Sequence, residues 1–378
     1  MSHSETMFQD FDQLDDDLSS TPDGGYGWVI VGSCFILNAF TWGVTASFGV
    51  YLSEYVSSGR ITNAKPMEYG LIGGLNFSCA MLLAPLATYL ASKFPVRVVM
   101  LFGCFLQGIG YLTAPFASRT WHLYLTQGAL VGSGIGFIIV PSTAILSQWF
   151  SRRRSMANGI SSAGSGVGGA AFTWGTVSLI QNQGLDWALR ATGLITLTAI
   201  VIATLLLRHR NSQIQPNQRA FDFALIRSKA AVFLLMWAFI SMFGYIVLLF
   251  SLSEFSLAIG LSHKQATDIV GFLNVGTAVG RPLIGLTIGP LSAEVAGVRN
   301  LQSMLSLAWA ATIIPTASAE VIALLLQDLP APRTFLYPQI FAGLSYIIAS
   351  GFLVALWKDL RHRDPDLPTC RLTGGVDF

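Results

Sequence analysis

Apolar runs long enough to cross a lipid bilayer recur about ten times along this chain, and no other feature restricts its fold so strongly. A helix needs about 20 predominantly apolar residues to traverse the hydrocarbon core, and only helices or closed barrels satisfy their backbone groups there. The runs are too long for barrel strands. That length criterion places spans at Gly27–Tyr51, Tyr69–Ala91, Val96–Ala117, His122–Leu146, Met156–Ile180, Ala188–Leu207, Ala231–Phe255, Thr267–Ile288, Leu301–Leu326 and Phe335–Trp357. The expected fold class is all-α and integral to the membrane, with six helices before a polar break and four after it.

Composition points the same way. Of 378 residues, 52% are hydrophobic and 11% charged, with a mean hydropathy of +0.57; soluble domains carry about a quarter charged residues. The bases sit at the ends of apolar runs, not on one face between aromatics, so nucleic acid is not an expected partner. Cys34, Cys79, Cys104 and Cys370 form no Cys-x-x-Cys pair, and the five histidines form no ligand pair at helical spacing. No metal or other cofactor is expected. Nor is an enzyme, because no nucleophile has a base near it in sequence and no acidic metal motif is present.

Residues Met1–Thr21 hold Glu5, Asp10, Asp12, Asp15, Asp16 and Asp17 without Lys or Arg. The segment lacks the basic start of a signal peptide and reads as a disordered cytosolic tail. Lys and Arg in short loops favour the cytoplasmic side. With the amino terminus inside, the inner loops collect Lys93, Arg97, Arg152, Arg153, Arg154, Arg208, Arg210, Arg219, Arg227 and Lys229, and the inner carboxyl tail adds Lys358, Arg361 and Arg363. The outer loops hold Arg60, Lys65, Arg119, Arg190, Lys264 and Arg333. The expected organisation is an acidic tail (1–25), a six-helix bundle (26–207), a central cytosolic loop (208–230), a shorter bundle (231–357) and a cytosolic tail (358–378). Both termini are expected in the cytosol, with the plasma membrane preferred to the vacuole or another organelle.

Many of the 37 glycines fall inside the spans, as Gly128, Gly132 and Gly136, or Gly164 and Gly168. Small residues four apart let helices approach closely in lipid. The letters Gly164–Gly169 also spell G-x-G-x-x-G, but a dinucleotide site requires a strand before that pattern and here the segment is an apolar helix.

Two segments carry a resemblance. The first is Asp23-Gly24-Gly25-Tyr26-Gly27-Trp28. The second runs from Trp149 and Phe150 through Arg152, Arg153, Arg154, Ala157, Gly159, Ser161 and Gly164 to Gly168. Both resemble signatures of the monocarboxylate transporter family, in particular its fungal branch, within the major facilitator superfamily. That family has two halves joined by a central cytosolic loop, each built from inverted three-helix repeats. Physically, Asp23 is suited to cap the first helix, Tyr26 and Trp28 to sit at the headgroup interface, and Gly159, Gly164 and Gly168 to give the fifth helix a narrow face. Lys93 and Arg97 occupy the place of the superfamily's charged gate motif, but no acid accompanies them and Pro95 stands where glycine is usual.

The resemblance implies a carrier of small organic anions. Arg281, in Asn274-Val275-Gly276-Thr277-Ala278-Val279-Gly280-Arg281-Pro282, resembles the family's arginine in helix eight. A guanidinium at mid-span is costly, about 2.5 to 3.5 kcal/mol on insertion scales, and so demands a purpose: it holds a substrate carboxylate bidentately, or it bonds helix carbonyls. Where proton-coupled members carry a lysine in helix one and an aspartate before this arginine, the chain has Ala46 and Thr277. Glu320 is the proton-coupling candidate, with pairing to Arg281 and an interfacial position as its alternatives. Asn38, Trp42, Asn76, Asn274 and Thr277 complete the expected substrate contacts, each with helix bridging or packing as its alternative. Finally, Gly280–Leu286 resembles the family's eighth helix, while Thr287–Gly297 resembles the end of its tenth. Helix nine and most of helix ten are expected to be absent through an internal deletion near Leu286, which raises a non-transporting paralogue, splice form or sensor as the alternative function.

Overall fold

In lipid the backbone bonds internally wherever it can, so helices run on past the points where the apolar run stops. The computed structural model of the chain describes residues 23–61, 66–150, 153–208, 210, 226–287, 295, 303–327 and 333–363. These form the long helices α1 (Gly27–Ser58), α2 (Pro66–Lys93), α3 (Val96–Phe116), α4 (Thr120–Ser147), α5 (Arg154–Gln183), α6 (Leu185–Leu206), α7 (Lys229–Ala258), α8 (His263–Thr287), α9 (Ser303–Leu325) and α10 (Leu336–Arg363). Most extend two to seven residues beyond the expected spans. Polar residues such as Ser53, Glu54 and Ser57 end an apolar count without ending the hydrogen-bonded helix. α1 stops at Gly59, whose φ of 58° is left-handed. α5 and α6 are separated by Gly184 alone, at φ 85° and ψ 166°, a conformation open chiefly to glycine.

α1 and α4 each contain a π-helical stretch, Ala39–Gly43 and Tyr124–Leu130. A wide turn leaves carbonyls poorly served by the helix's own ladder. Here side-chain amides serve them: Gln107 Nε2 donates to the Phe40 carbonyl and Asn76 Nδ2 to the Gln127 carbonyl, each at 2.8 Å.

Within the first six helices, α1 packs on α5 and α6, α2 on α4, and α3 on α4 and α6. Among α7–α10, the pairs α7–α9 and α7–α10 repeat the α1–α5 and α1–α6 pairings, and α8 packs on α7. Among the described residues of this second group, nothing plays the part of α3 or of α4, the helix that covers α2. The two groups meet along two seams, α2 with α9 and, most extensively, α5 with α8.

Among the described residues, eight of these helices are long and apolar enough to cross a membrane. The two that fall outside that set, α5 and α8, are the pair that pack on each other. Their glycines, serines and amides face protein at the seam, where lipid does not set the composition. The segment Thr287–Gly297, in which the deletion is expected, lies outside the described residues apart from Thr287 and Val295, as do Arg152, the acidic tail before Asp23 and most of the central loop.

Candidate functional site

α5 presents two glycine faces. A methyl at Gly164 would lie 2.1 Å from the Phe35 carbonyl oxygen, and one at Gly168 would lie 2.2 Å from that of Ala39, so this face is in backbone contact with α1. The other face meets α8: a methyl at Gly166 would be 2.3 Å from Ala278 N, and one at Gly169 would be 2.5 Å from Asn274 Oδ1. The apparent nucleotide motif Gly164–Gly169 is therefore two interleaved packing stripes on one helix.

Arg281 lies on this seam. Its Nη1 donates to Ser165 Oγ at 2.5 Å and to the Ser162 carbonyl at 3.2 Å, and Ser165 Oγ itself donates to that carbonyl at 2.9 Å. The guanidinium is half-buried, and among the described residues it forms no ion pair. One turn away on α5, Ser161 Oγ accepts from Asn38 Nδ2 at 3.3 Å, and Asn38 also donates to the Cys34 carbonyl at 2.9 Å. Asn274 Nδ2 donates to its own helix, at the Val270 carbonyl, while its oxygen lies over Gly169. Thr277 Oγ1 donates to the Leu273 carbonyl. The structure thus places Arg281 and Asn38 on one polar strip of α5, at Ser161, Ser162 and Ser165, with Asn274 farther along over Gly166 and Gly169. Farther along the seam, Trp174 Nε1 donates to Asp268 Oδ1 at 3.1 Å.

Trp42 and Asn76 belong to a different neighbourhood. Trp42, in the π-turn of α1, stacks on Phe77 at 5.1 Å and meets Trp309 of α9 edge-on at 6.0 Å. Phe77 also touches Tyr245 and Phe250 of α7, and Phe48 touches Phe250. These rings fill the space where α1 and α2 face α7 and α9. Asn76 binds the α4 backbone and accepts from Thr45 Oγ1 at 3.3 Å, which makes it a bridge inside the first helix group.

Glu320 corrects two expectations. It is 1% exposed, so it does not snorkel to an interface, and its carboxylate accepts from Ser251 Oγ of α7 at 3.1 and 3.2 Å, with no contact to Arg281. It stands at the α2–α9 seam, where a methyl at Gly70 would lie 3.4 Å from its Cγ. At the same end of the molecule, a cleft of about 370 Å³ opens between α1, α5, α7 and α8, lined by Ser53, Glu54, Gln181, Ser253, His263 and Thr267 among others.

The opposite, arginine-rich end joins the two signature segments to each other. Tyr26 packs on Trp149 and Trp28 meets Phe150 edge-on, at 5.8 and 5.3 Å, while a methyl at Gly27 would lie 2.9 Å from the Phe150 ring. Together they close the end of α6. Tyr26 Oη donates to the Leu206 carbonyl at 2.8 Å, Arg97 Nε and Nη2 to that of Leu207 at 3.1 and 2.7 Å, and Trp149 Nε1 to that of Arg208 at 2.8 Å. These satisfy carbonyls that a helix end leaves without partners. The Arg208 guanidinium covers the Tyr26 ring at 4.2 Å. Asp23 does not cap α1, whose N-cap position is Tyr26 with no side-chain cap; it stands at φ 45° and accepts from the Arg153 amide at 3.5 Å, beside the start of α5. Tyr26 and Trp28, both half-buried, take part in this clasp. Among the described residues no acid pairs with Arg97, which serves a helix end.

Ser162, Ser165, Ser251 and Trp309 were not anticipated. The spacing of Ser162 and Ser165, three apart on the glycine-rich face of a helix, was a usable signal. Ser251 and Trp309 carried none, because their partners are distant in sequence.

Comparison with known proteins follows this geometry. The sequence model of the Major Facilitator Superfamily matches residues 31–361. The probable transporter MCH2 of Saccharomyces cerevisiae is 37% identical over 295 residues, covering 76% of this chain and 62% of that protein. Human monocarboxylate transporter 7 is 31% identical over 191 residues, covering 50% of this chain and 35% of that protein. The chain therefore spans less than two thirds of the length of these relatives, which are transporters and not enzymes. Among solved structures, a bacterial homologue of the human lysosomal transporter Spinster, in an inward-facing and unoccupied conformation, aligns with a TM-score of 0.55 at 14% identity, over 87% of this chain and 81% of that one. The human organic anion transporter MFSD10 aligns at 0.54 and 15% identity, over 87% and 97%. At these identities the likeness is one of fold alone.

Proposed function

The chain belongs to the Major Facilitator Superfamily and is related to the monocarboxylate transporters, and from that premise we propose that it carries small organic anions across a membrane by alternating access. The observation that carries this reading is Arg281. It is a guanidinium on the seam between the two helix groups, bonded to Ser162 and Ser165 and with no carboxylate beside it among the described residues. A substrate carboxylate is the partner that geometry favours, because a guanidinium binds it through two parallel hydrogen bonds. Asn38, Asn274 and Thr277 flank it, and Trp42 lies beyond, in the aromatic cluster with Phe77 and Trp309. Asn76 contributes by holding α2 to α4.

Movement of α7–α10 against α1–α6 would expose Arg281 to one side and then the other. Glu320, closed off from water with one hydroxyl as its partner, is the group proposed to take up and release a proton as the α2–α9 seam opens. The distribution of bases supports a cytosolic arginine-rich end and, with it, cytosolic termini, with the plasma membrane as the favoured site.

Uptake of a panel of labelled monocarboxylates into proteoliposomes tests the reading: it should fall sharply in Arg281→Ala, and unchanged uptake would refute Arg281 as the anchor. A second reading, a non-transporting sensor, degenerate paralogue or splice form, is favoured by the four helices described after the central loop, where among the described residues nothing covers α8 as α4 covers α2. Saturable binding without flux would select it. Sequencing the transcript across Leu286 would establish whether the shortened second half is encoded as such.

A further inference from the structure

Three observations define the seat of Arg281. First, Ser165 Oγ is committed twice, donating to the Ser162 carbonyl at 2.9 Å and accepting from Arg281 Nη1 at 2.5 Å; its lone pair is thereby aimed at the guanidinium. Second, Ser165 is 4% exposed and stands between Gly164, in backbone contact with α1, and Gly166, in backbone contact with α8, so the seat is fixed by the closest helix packing in this part of the molecule. Third, these bonds use one terminal nitrogen; among the described residues Nε and Nη2 donate to no protein group.

We propose that Ser165, with the Ser162 carbonyl, is a positioning residue that docks the empty Arg281 onto α5, and that a substrate carboxylate competes with this seat for the guanidinium. Docking ties an unloaded site to a closed α5–α8 seam, and capture of the carboxylate releases that tie. A transporter gains from such coupling, because the state that moves is then the loaded one. The inference rests on reading Arg281 as an anion anchor, and its test separates the two.

Phenylglyoxal modifies accessible arginines, and peptide mass spectrometry of the purified full chain in detergent reads the rate at Arg281. In Ser165→Ala that rate should rise roughly tenfold, the factor expected on removing a hydrogen bond to a charged group. Ser165→Thr, which keeps the hydroxyl, should restore the slow rate, and Ser165→Cys, with a weaker acceptor of similar size, should fall between. Arg60, held by Asp186 at 2.5 Å and by the Pro115 carbonyl, reports on folding and should be unchanged throughout. Sodium benzoate, as a monocarboxylate probe, should slow labelling in Ser165→Ala. Equal rates in Ser165→Ala and the wild type would overturn the seat. A rise without benzoate protection would overturn the competition and with it the anion reading, leaving a seat that is structural only.

Discussion

Substitution of Gly166 by alanine separates packing between the helix groups from packing within one. The added methyl would sit 2.3 Å from Ala278 N and 2.6 Å from the Asn274 carbonyl oxygen. Real Cβ atoms essentially never come within 3.0 Å, so α5 and α8 must part by about 0.7 Å locally, and both obstacles are backbone that no rotamer relieves. Overpacking of this kind costs about 1 to 3 kcal/mol, and backbone opposition puts it near the upper value. Alanine returns about 1 kcal/mol of helix propensity, leaving a net loss of about 2 kcal/mol and a fall of about 2 to 3 °C in the unfolding midpoint. Gly164→Ala, with its methyl 2.1 Å from the Phe35 carbonyl oxygen, should lose as much by separating α5 from α1. Gly175→Ala, with nothing within 4 Å, should be neutral or stabilising. Thermal unfolding in detergent measures all three. Spin labels at Gln181 on α5 and Lys264 on α8 distinguish the first two, since the distance distribution should broaden to longer separations in Gly166→Ala alone. A Gly166→Ala protein as stable as Gly175→Ala, with an unchanged distribution, would refute the account of the seam.

Two further outcomes follow from single contacts. Asn76→Leu keeps the volume but strips the donor from the Gln127 carbonyl in the π-turn of α4, and should cost about 1 to 3 kcal/mol for the unsatisfied buried group, measured by thermal unfolding; a loss below about 0.5 kcal/mol would show that the turn does not depend on that amide. Glu320→Gln preserves an acceptor for Ser251 while removing the titratable group, so the unfolding midpoint should stay close to wild type while an imposed pH gradient ceases to drive uptake. Uptake that still follows the gradient would remove Glu320 from the coupling scheme.

The clasp at the arginine-rich end shows why a family signature need not mark a binding site. Tyr26 and Trp28 from one signature pack on Trp149 and Phe150 from the other, Asp23 meets the Arg153 amide, and Tyr26, Trp149 and Arg97 close the carbonyl end of α6. Their residue types are those the task requires: flat rings that pack across a helix end, and N–H or O–H groups at their edges that reach carbonyls.

Much of the architecture was legible in one dimension, because lipid imposes a length and a polarity on each helix that a linear count recovers. The approximate positions of the helices, the helical nature of Gly164–Gly169, and the selection of Arg281 as the charge in need of a reason all came from that constraint. The true helix ends did not, since hydrogen bonding continues where hydropathy stops, as at Ser53–Ser58. Pairing is a property of three dimensions. Nothing in the local sequence says that Gly164 faces α1 while Gly166 faces α8, that Glu320 takes Ser251 and not Arg281 as its partner, or that Asp23 reaches the start of α5. Those choices depend on which helices lie side by side, and that is fixed by the summed close packing of small residues over whole helix faces, contacts whose members are distant in sequence, as Phe35 and Gly164 or Gly166 and Ala278.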